Sequence, residues 1–413
     1  MKDHTTCVVT PRVKADGFDP LGVAVHRGST IVFRTAEDYA NRAKRGMDGY
    51  SYGLYGTPTT RTLERKITQL EQGARTFLTP SGQASNAVAM QAFLSAGDKI
   101  LIADSCYPPV RDFAVNDLKR QGVSIDFYDP SSPCDLERRI DDVTRMVWCE
   151  SPGSTTMEIQ DLPRISEIAH RVGALVGCDN TWATPLNYKP LCHGADIVTE
   201  ALTKYVAGHS DVLMGSITVS TEALAGPVRG VLGRLGIGVS PDDVALVLRG
   251  METLPVRLAY AFEAALELAT IFQDHPLVDR VLFPALPGSV GHELWKRDFL
   301  GASGVFSVVF TPNASEHVST ALDHLQIFAI GASWGGTRSL VAPMQVRANR
   351  TATEWRTDED LLLRVSAGLE AREDLCADVR RLLAAVEDKC RHARLPMSAR
   401  GGTQYTLNNK QGV

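Results

Sequence analysis

Thr203-Lys204-Tyr205 decides how this chain of 413 residues is read, because Asp179-Asn180-Thr181-Trp182 stands upstream of it, with Asp179 25 residues before Lys204. Each motif follows a short apolar run: Ala174-Leu175-Val176-Gly177-Cys178 leads to Asp179, and Ile197-Val198-Thr199 leads to the lysine. In helix-covered parallel sheets, ligands sit at the carboxyl ends of strands. A lysine and a carboxylate presented there suit pyridoxal 5′-phosphate (PLP). The lysine holds the cofactor aldehyde as an imine and then acts as a base. The carboxylate keeps the pyridine nitrogen protonated, so the ring can accept electrons from a carbanion. Alone, each residue has a blander explanation: most lysines are solvated, and Asp-Asn pairs are common in turns.

The surroundings of the pair carry the fold. Lys99-Ile100-Leu101-Ile102-Ala103, Val123-Ser124-Ile125-Asp126-Phe127-Tyr128 and Arg145-Met146-Val147-Trp148-Cys149 read as further short buried strands. Helical spacing fills the gaps, as at Ile165, Ile168, Ala169 and Val172. Alternating strands and helices predict an α/β unit with a mostly parallel sheet and flanking helices. The domains expected are an N-terminal arm over 1–60, a cofactor-binding α/β domain over 61–255 and a smaller α+β domain over 256–413. Within the last, helices are expected over 255–273, 316–325 and 371–386, and strands at Val305-Phe306-Ser307-Val308-Val309-Phe310 and near 326–329. The tail from 400 reads as loose.

Composition narrows the partners. With 43 basic and 48 acidic residues the formal net charge is −5, which gives no electrostatic reason to expect nucleic acid or a membrane. No apolar run approaches a membrane span. The eight cysteines form no CxxC pair or zinc spacing and read as reduced thiols of a cytoplasmic protein. No metal site is expected.

Four stretches extend the candidate site. Ser81-Gly82-Gln83 opens a helical run and could hold a phosphate on free N–H groups, although a capping serine is the plainer reading. Tyr107 follows the strand ending at Ala103 and could stack on a ring. Tyr50-Ser51-Tyr52-Gly53-Leu54-Tyr55 is aromatic and turn-rich, with polar tips that could reach a ligand. Arg364, beside Leu361-Leu362-Leu363 and downstream of Ser333-Trp334-Gly335-Gly336, suits an amino acid carboxylate.

Together and in this order, these stretches resemble the Cys/Met-metabolism PLP enzymes, over about residues 20 to 390. Ala201-Leu202-Thr203-Lys204-Tyr205-Val206-Ala207-Gly208-His209-Ser210-Asp211 looks like the family's lysine signature. Glu150-Ser151-Pro152-Gly153-Ser154-Thr155-Thr156-Met157-Glu158, Cys178-Asp179-Asn180-Thr181-Trp182 and Ser333-Trp334-Gly335-Gly336 resemble the bacterial cystathionine β-lyase branch. The γ-acting branches usually carry Asn-Pro where Gly153-Ser154 stands.

The resemblance implies PLP-dependent transferase fold type I and a homotetramer of active dimers with sites at the dimer interfaces. It implies Lys204 as the Schiff-base lysine, Asp179 on the pyridine nitrogen and Tyr107 on the ring. Ser81, Gly82, Gln83, Thr203 and Thr181 line the cofactor. Tyr52 reaches in from the neighbour, and Arg364, Ser333 and Trp334 take the substrate carboxylate. The activity implied is carbon–sulfur β-cleavage of cystathionine or a related S-substituted cysteine in methionine biosynthesis. The alternatives are γ-elimination or γ-replacement, as in cystathionine and methionine γ-lyases or O-acylhomoserine sulfhydrylase, or a secondary-metabolism variant. Three positions depart from the pattern: Leu54 replaces an arginine that holds the phosphate, Ala201 replaces a serine, and Thr337-Arg338 replaces Tyr-Glu. Arg61 and Arg338 are the candidate substitutes for the lost cation.

Overall fold

The computed structural model describes residues 17–355 and 361–394; the expected loose tail, Cys7 and the start of the arm lie outside them. A seven-stranded sheet is built from β1 (Arg75–Thr79), β2 (Lys99–Ala103), β3 (Ser124–Tyr128), β4 (Thr144–Glu150), β5 (Leu175–Asp179), β6 (Ile197–Glu200) and β7 (Gly215–Val219). Their order is β1-β7-β6-β5-β4-β2-β3. Strands β2 to β6 pair in parallel, whereas β7 runs antiparallel to both its neighbours.

Side chains alternate across this sheet, as the period of two requires. Leu101, Ala103, Val147, Cys149, Val176 and Cys178 enter one core. Ile100, Ile102, Met146 and Trp148 enter the core on the opposite face. Both faces are therefore apolar, which is why the strands read as continuous hydrophobic runs. The first core continues into a second sheet. Its strands are β8 (Val278–Leu282), β9 (Val305–Phe310), β10 (Ala329–Ile330), β11 (Leu340–Gln345) and β12 (Leu361–Ser366), in the order β10-β11-β12-β9-β8. The long helix Leu254–Gln273 packs on it, and the helix Arg372–Arg394 packs against that helix and against Pro312–Ala321.

The strand expected near 326–329 shrinks to the two residues of β10. The reason is a competing acceptor. The N–H groups of Gln326, Ile327 and Phe328 donate to the buried Asp378 carboxylate at 2.8–3.2 Å, so they do not enter a ladder. The helix expected from 316 begins at Pro312, where proline suits the first turn. Residues 17–57 carry only short helical turns and are mostly exposed.

Two contacts fix the sheets to each other beside the site. Trp182 Nε1 donates to the Val305 carbonyl at 3.0 Å. Asp104, just past β2, accepts from the backbone N–H groups of Thr351, Ala352 and Thr353 at 2.8–3.1 Å. Among the described residues no helix is long and apolar enough to cross a membrane.

Candidate active site

β5 ends on Asp179, and β6 leads through Ala201 into the turn carrying Thr203 and Lys204. The two strands are adjacent and parallel, so both groups reach the same sheet edge. They line one cavity of about 600 Å³ together with Ser81, Gly82, Gln83, Tyr107, Thr181, Thr203, Trp334 and Arg364. Residues up to 283 positions apart in the chain thus converge, from Ser81 to Arg364.

Asp179 is held from the protein side by three donors. Its Oδ1 accepts from the Thr181 N–H at 3.0 Å and the Thr181 hydroxyl at 2.5 Å. Its Oδ2 accepts from Asn86 Nδ2 at 3.1 Å. Asn86 is itself oriented, because its Oδ1 accepts from the Thr199 hydroxyl at 2.6 Å. Burial pushes the Asp179 carboxyl up, and these bonds with the nearby Lys204 ammonium oppose the rise.

Lys204 is shifted the other way. Burial, reinforced by the Arg364 guanidinium, lowers its ammonium to about 8. From an ordinary value of 10.5, that raises the neutral fraction at pH 7 roughly 300-fold. Its Nζ donates to Ser333 Oγ at 2.7 Å and lies 5.1 Å from the Trp334 ring centre. Arg257 buttresses the turn from behind, donating to the Tyr205 carbonyl at 2.7 Å. Gly335 has φ +81°, and a Cβ there would meet Lys204 and Tyr205 backbone atoms within 3.2 Å. A side chain at this position would strain the loop that holds Ser333 and Trp334 against the lysine.

At the other end, Ser81 caps the helix Gly82–Phe93, its hydroxyl accepting from the Ala84 N–H at 3.1 Å. The capping reading of Ser81 therefore holds. The N–H groups of Gly82 and Gln83 have no intrahelical acceptor at such an end, so an anion there is favoured. A Cβ on Gly82 would meet the Ala201 Cβ at 2.5 Å; the helix start and the lysine turn are in contact. Thr203 Oγ1 is engaged with the Met214 backbone, accepting from its N–H at 2.9 Å and donating to its carbonyl at 3.1 Å.

Tyr107 is 42 % exposed at the cavity wall. Its N–H donates to Glu150 Oε2 at 2.5 Å. Burial and then the Asp179 charge hold the Glu150 carboxyl well above its usual range. Arg364 projects from β12, and its Nη2 donates to the carbonyls of Ala332 at 2.6 Å and Ser333 at 3.2 Å. That fixes the loop bearing Ser333 and Trp334 to the guanidinium.

Tyr52 and Leu54 stand apart from this cavity. Tyr52 is 51 % exposed, and Leu54 lines a separate hollow with Tyr55, Glu64 and Arg229. Neither substitute cation faces the Lys204 cavity: Arg61 is buried against Glu64 and the Met47 and Tyr55 carbonyls, and Arg338 is exposed. Sequence reasoning missed Asn86 and gave Glu150 no role. The signal for Asn86 was its place one helical turn after Gly82-Gln83, on the helix whose start faces the cavity.

The donor set fits PLP. It offers a carboxylate anchored from behind with room on its cavity side, a helix start for a phosphate, and a partly neutral amine between them. The profile of the Cys/Met metabolism PLP-dependent enzymes matches residues 4–384. Cystathionine beta-lyase MetC of Escherichia coli (strain K12) is 35 % identical over 385 residues, covering 92 % of this chain and 97 % of its own length. The L-alanine/L-glutamate racemase of Wolbachia pipientis wMel is 36 % identical over 395 residues, covering 93 % and 97 %. Among solved structures, cystathionine gamma synthase from Xanthomonas oryzae pv. oryzae has a TM-score of 0.82 at 30 % identity, covering 90 % of this chain and 95 % of that one. The chain therefore belongs to the Cys/Met metabolism PLP-dependent enzymes, as a PLP-dependent enzyme of their carbon–sulfur lyase type with fold type I.

Proposed function

We propose that the protein cleaves the Cβ–S bond of cystathionine or a related S-substituted cysteine, releasing a thiol, pyruvate and ammonia. One observation carries the choice of β- over γ-chemistry. Gly153 stands where γ-acting branches usually begin their Asn-Pro, and a Cβ there would come within 2.6 Å of Ser105 and Glu158. The 153–154 segment is pinned as well: the Gly153 N–H donates to the Glu158 carbonyl and the Ser154 N–H to the Ser105 carbonyl, both at 2.8 Å. A bulkier pair needs a different backbone path here. The full-length likeness to a cystathionine beta-lyase supports the same reading.

Bound PLP supplies the aldehyde that takes up the substrate amine and the ring that stores the Cα electrons. Asp179 would hold the ring nitrogen's proton, and the Gly82–Gln83 helix start with Thr203 would hold the phosphate. Tyr107 would cover the ring. Arg364 binds the substrate carboxylate and orients Cα. Lys204, partly neutral at pH 7, takes the Cα proton, and Ser333 Oγ holds its Nζ in place beforehand. The thiolate then leaves from Cβ with a proton from Lys204 or Tyr107, and water converts the three-carbon remnant to pyruvate and ammonia.

Because Tyr52 lies outside its own chain's cavity, we read it as serving the neighbouring subunit in a homotetramer of dimers. We read the chemistry as a step of methionine biosynthesis and, on the free cysteines among the described residues, the location as cytoplasmic. A keto-acid assay on cystathionine tests the reaction. Pyruvate is expected; 2-oxobutyrate would replace this reading with γ-elimination. Methionine and O-acylated homoserines in the same assay are expected to give no keto acid above background.

A further inference from the structure

Arg364 and Tyr107 line one cavity from different sheets, Arg364 from β12 and Tyr107 from the turn just past β2. The segment 346–355, which leaves β11, touches both sides. Its two ends belong to the smaller sheet. Val346 is buried with Val309 of β9 and Leu362 of β12, and Trp355 packs on the same cluster. Leu362 and Arg364 share one face of β12, as the period of two requires. The ends of the segment therefore rest beside Arg364.

The middle of the segment belongs to the larger sheet. Asp104, 1 % exposed, follows β2. Besides the N–H groups of Thr351, Ala352 and Thr353, its carboxylate accepts from the Thr351 hydroxyl at 3.2 Å, the Thr353 hydroxyl at 2.7 Å and the Arg111 guanidinium. Arg111 is buried too. It lies 3.6 Å over the Phe127 ring centre and donates to the Thr351 hydroxyl at 3.2 Å. One buried guanidinium thus balances the carboxylate, and both carboxylate oxygens are hydrogen-bonded. Arg350 makes a second tie. Its Nη2 donates to Glu158 Oε1 at 3.0 Å and to the Thr156 hydroxyl, and its Nη1 to the Thr353 hydroxyl at 3.3 Å. Met157, between those two partners, lines the cavity.

We propose that Asp104 is a positioning residue: by gripping residues 351–353 it sets where Arg364 stands relative to the cofactor side of the cavity, and so tunes affinity for an amino acid carboxylate. The inference rests on the reading that Arg364 takes that carboxylate. The Trp182–Val305 bond holds the smaller sheet at β9, whereas the Asp104 grip holds it at the β11–β12 edge, where Ala342 pairs with Arg364. Releasing the grip leaves Arg364 on β12 but frees that edge to shift against Lys204 and Tyr107. A misplacement of about 1 Å is enough to spoil a two-point fit.

The test is the binding of glycine and of glycinamide, which lacks the carboxylate, to the holoenzyme, read from the absorption of the bound cofactor. Neither probe depends on which bond the enzyme breaks. Asp104→Asn removes the charge under the segment, and Thr353→Val removes one hydroxyl at nearly constant shape. Glycine should weaken about 10-fold in Asp104→Asn and about 3-fold in Thr353→Val, within the range for residues acting on a site through packed elements, with glycinamide changed less than about 2-fold. Arg364→Ala checks the underlying reading separately, and should erase the wild-type preference for glycine. Equal weakening of both probes in the Asp104 and Thr353 variants would overturn the proposal, because the damage would not run through Arg364. Unchanged glycine binding in those variants, with Arg364→Ala impaired, would overturn the grip and leave the carboxylate reading standing. Unchanged glycine binding in Arg364→Ala would overturn both. If Asp104→Asn does not fold, Thr353→Val decides alone.

Discussion

Lys204→Ala should lower keto-acid release by at least about 10³-fold, within the range assigned to a positioned proton-transfer group, and leave the thermal midpoint close to wild type. The expectation follows from what the side chain touches. Among the described residues Lys204 Nζ makes one hydrogen bond, to Ser333 Oγ, and it stands over Trp334 at the cavity wall. Its backbone bonds, from its N–H to the Ala201 carbonyl and from the Gly208 N–H to its own carbonyl, survive truncation. Removing a buried ammonium also removes a desolvation cost, so folding has little to lose. Stopped chemistry with intact folding is therefore the signature. Residual lyase activity above one per cent of wild type would show that another group moves the Cα proton. The same variant probes the assembly. Mixed after unfolding and refolding with an inactive Tyr52→Ala chain, it should regain activity, because a hybrid dimer contains one site with both residues native. Mixtures that stay inactive would mean that Tyr52 serves its own chain.

Asp179→Asn should cost about 10²–10³-fold in kcat, as for other preorganised electrostatic partners, and weaken cofactor retention. The substitution is isosteric, so the cost is electrical. The local network makes it worse than the loss of one charge. Asn86 Nδ2 donates to Asp179 Oδ2, and Asn86 cannot turn over without losing the Thr199 hydroxyl bond at its Oδ1. An amide at 179 with its oxygen facing the Thr181 donors would place its NH2 against the Asn86 NH2, two donors face to face. Asp179→Asn, Asn86→Asp restores a donor–acceptor pair but not the charge facing the ring. It should regain thermal stability and stay slow. Recovery of kcat in the double variant would show that Asp179 acts through packing alone.

The parts of this architecture legible in the sequence share one property: they are local. The strands at 99–103 and 197–199 are continuous apolar runs because both faces of the sheet are covered. Asp179 follows such a run directly and Lys204 comes five residues after one, so their place near strand ends needed no tertiary information. What stayed hidden depends on distant partners. β7 is a five-residue segment that includes Gly215 and Ser216, and its identity comes from pairing with β1 and β6. The 326–328 segment reads as strand until the Asp378 carboxylate, some fifty residues on, takes its N–H groups. Asn86 matters because of Asp179 and Thr199, 93 and 113 residues away. Glu71 and Glu200 carry no local mark of burial, yet the fold takes both out of water.

The most direct measurement is borohydride reduction of the holoenzyme followed by peptide mass mapping. The account predicts a stable phosphopyridoxyl label on Lys204, and no label on the peptide spanning position 204 in a Lys204→Ala control. A label on any other lysine of the wild type would contradict it.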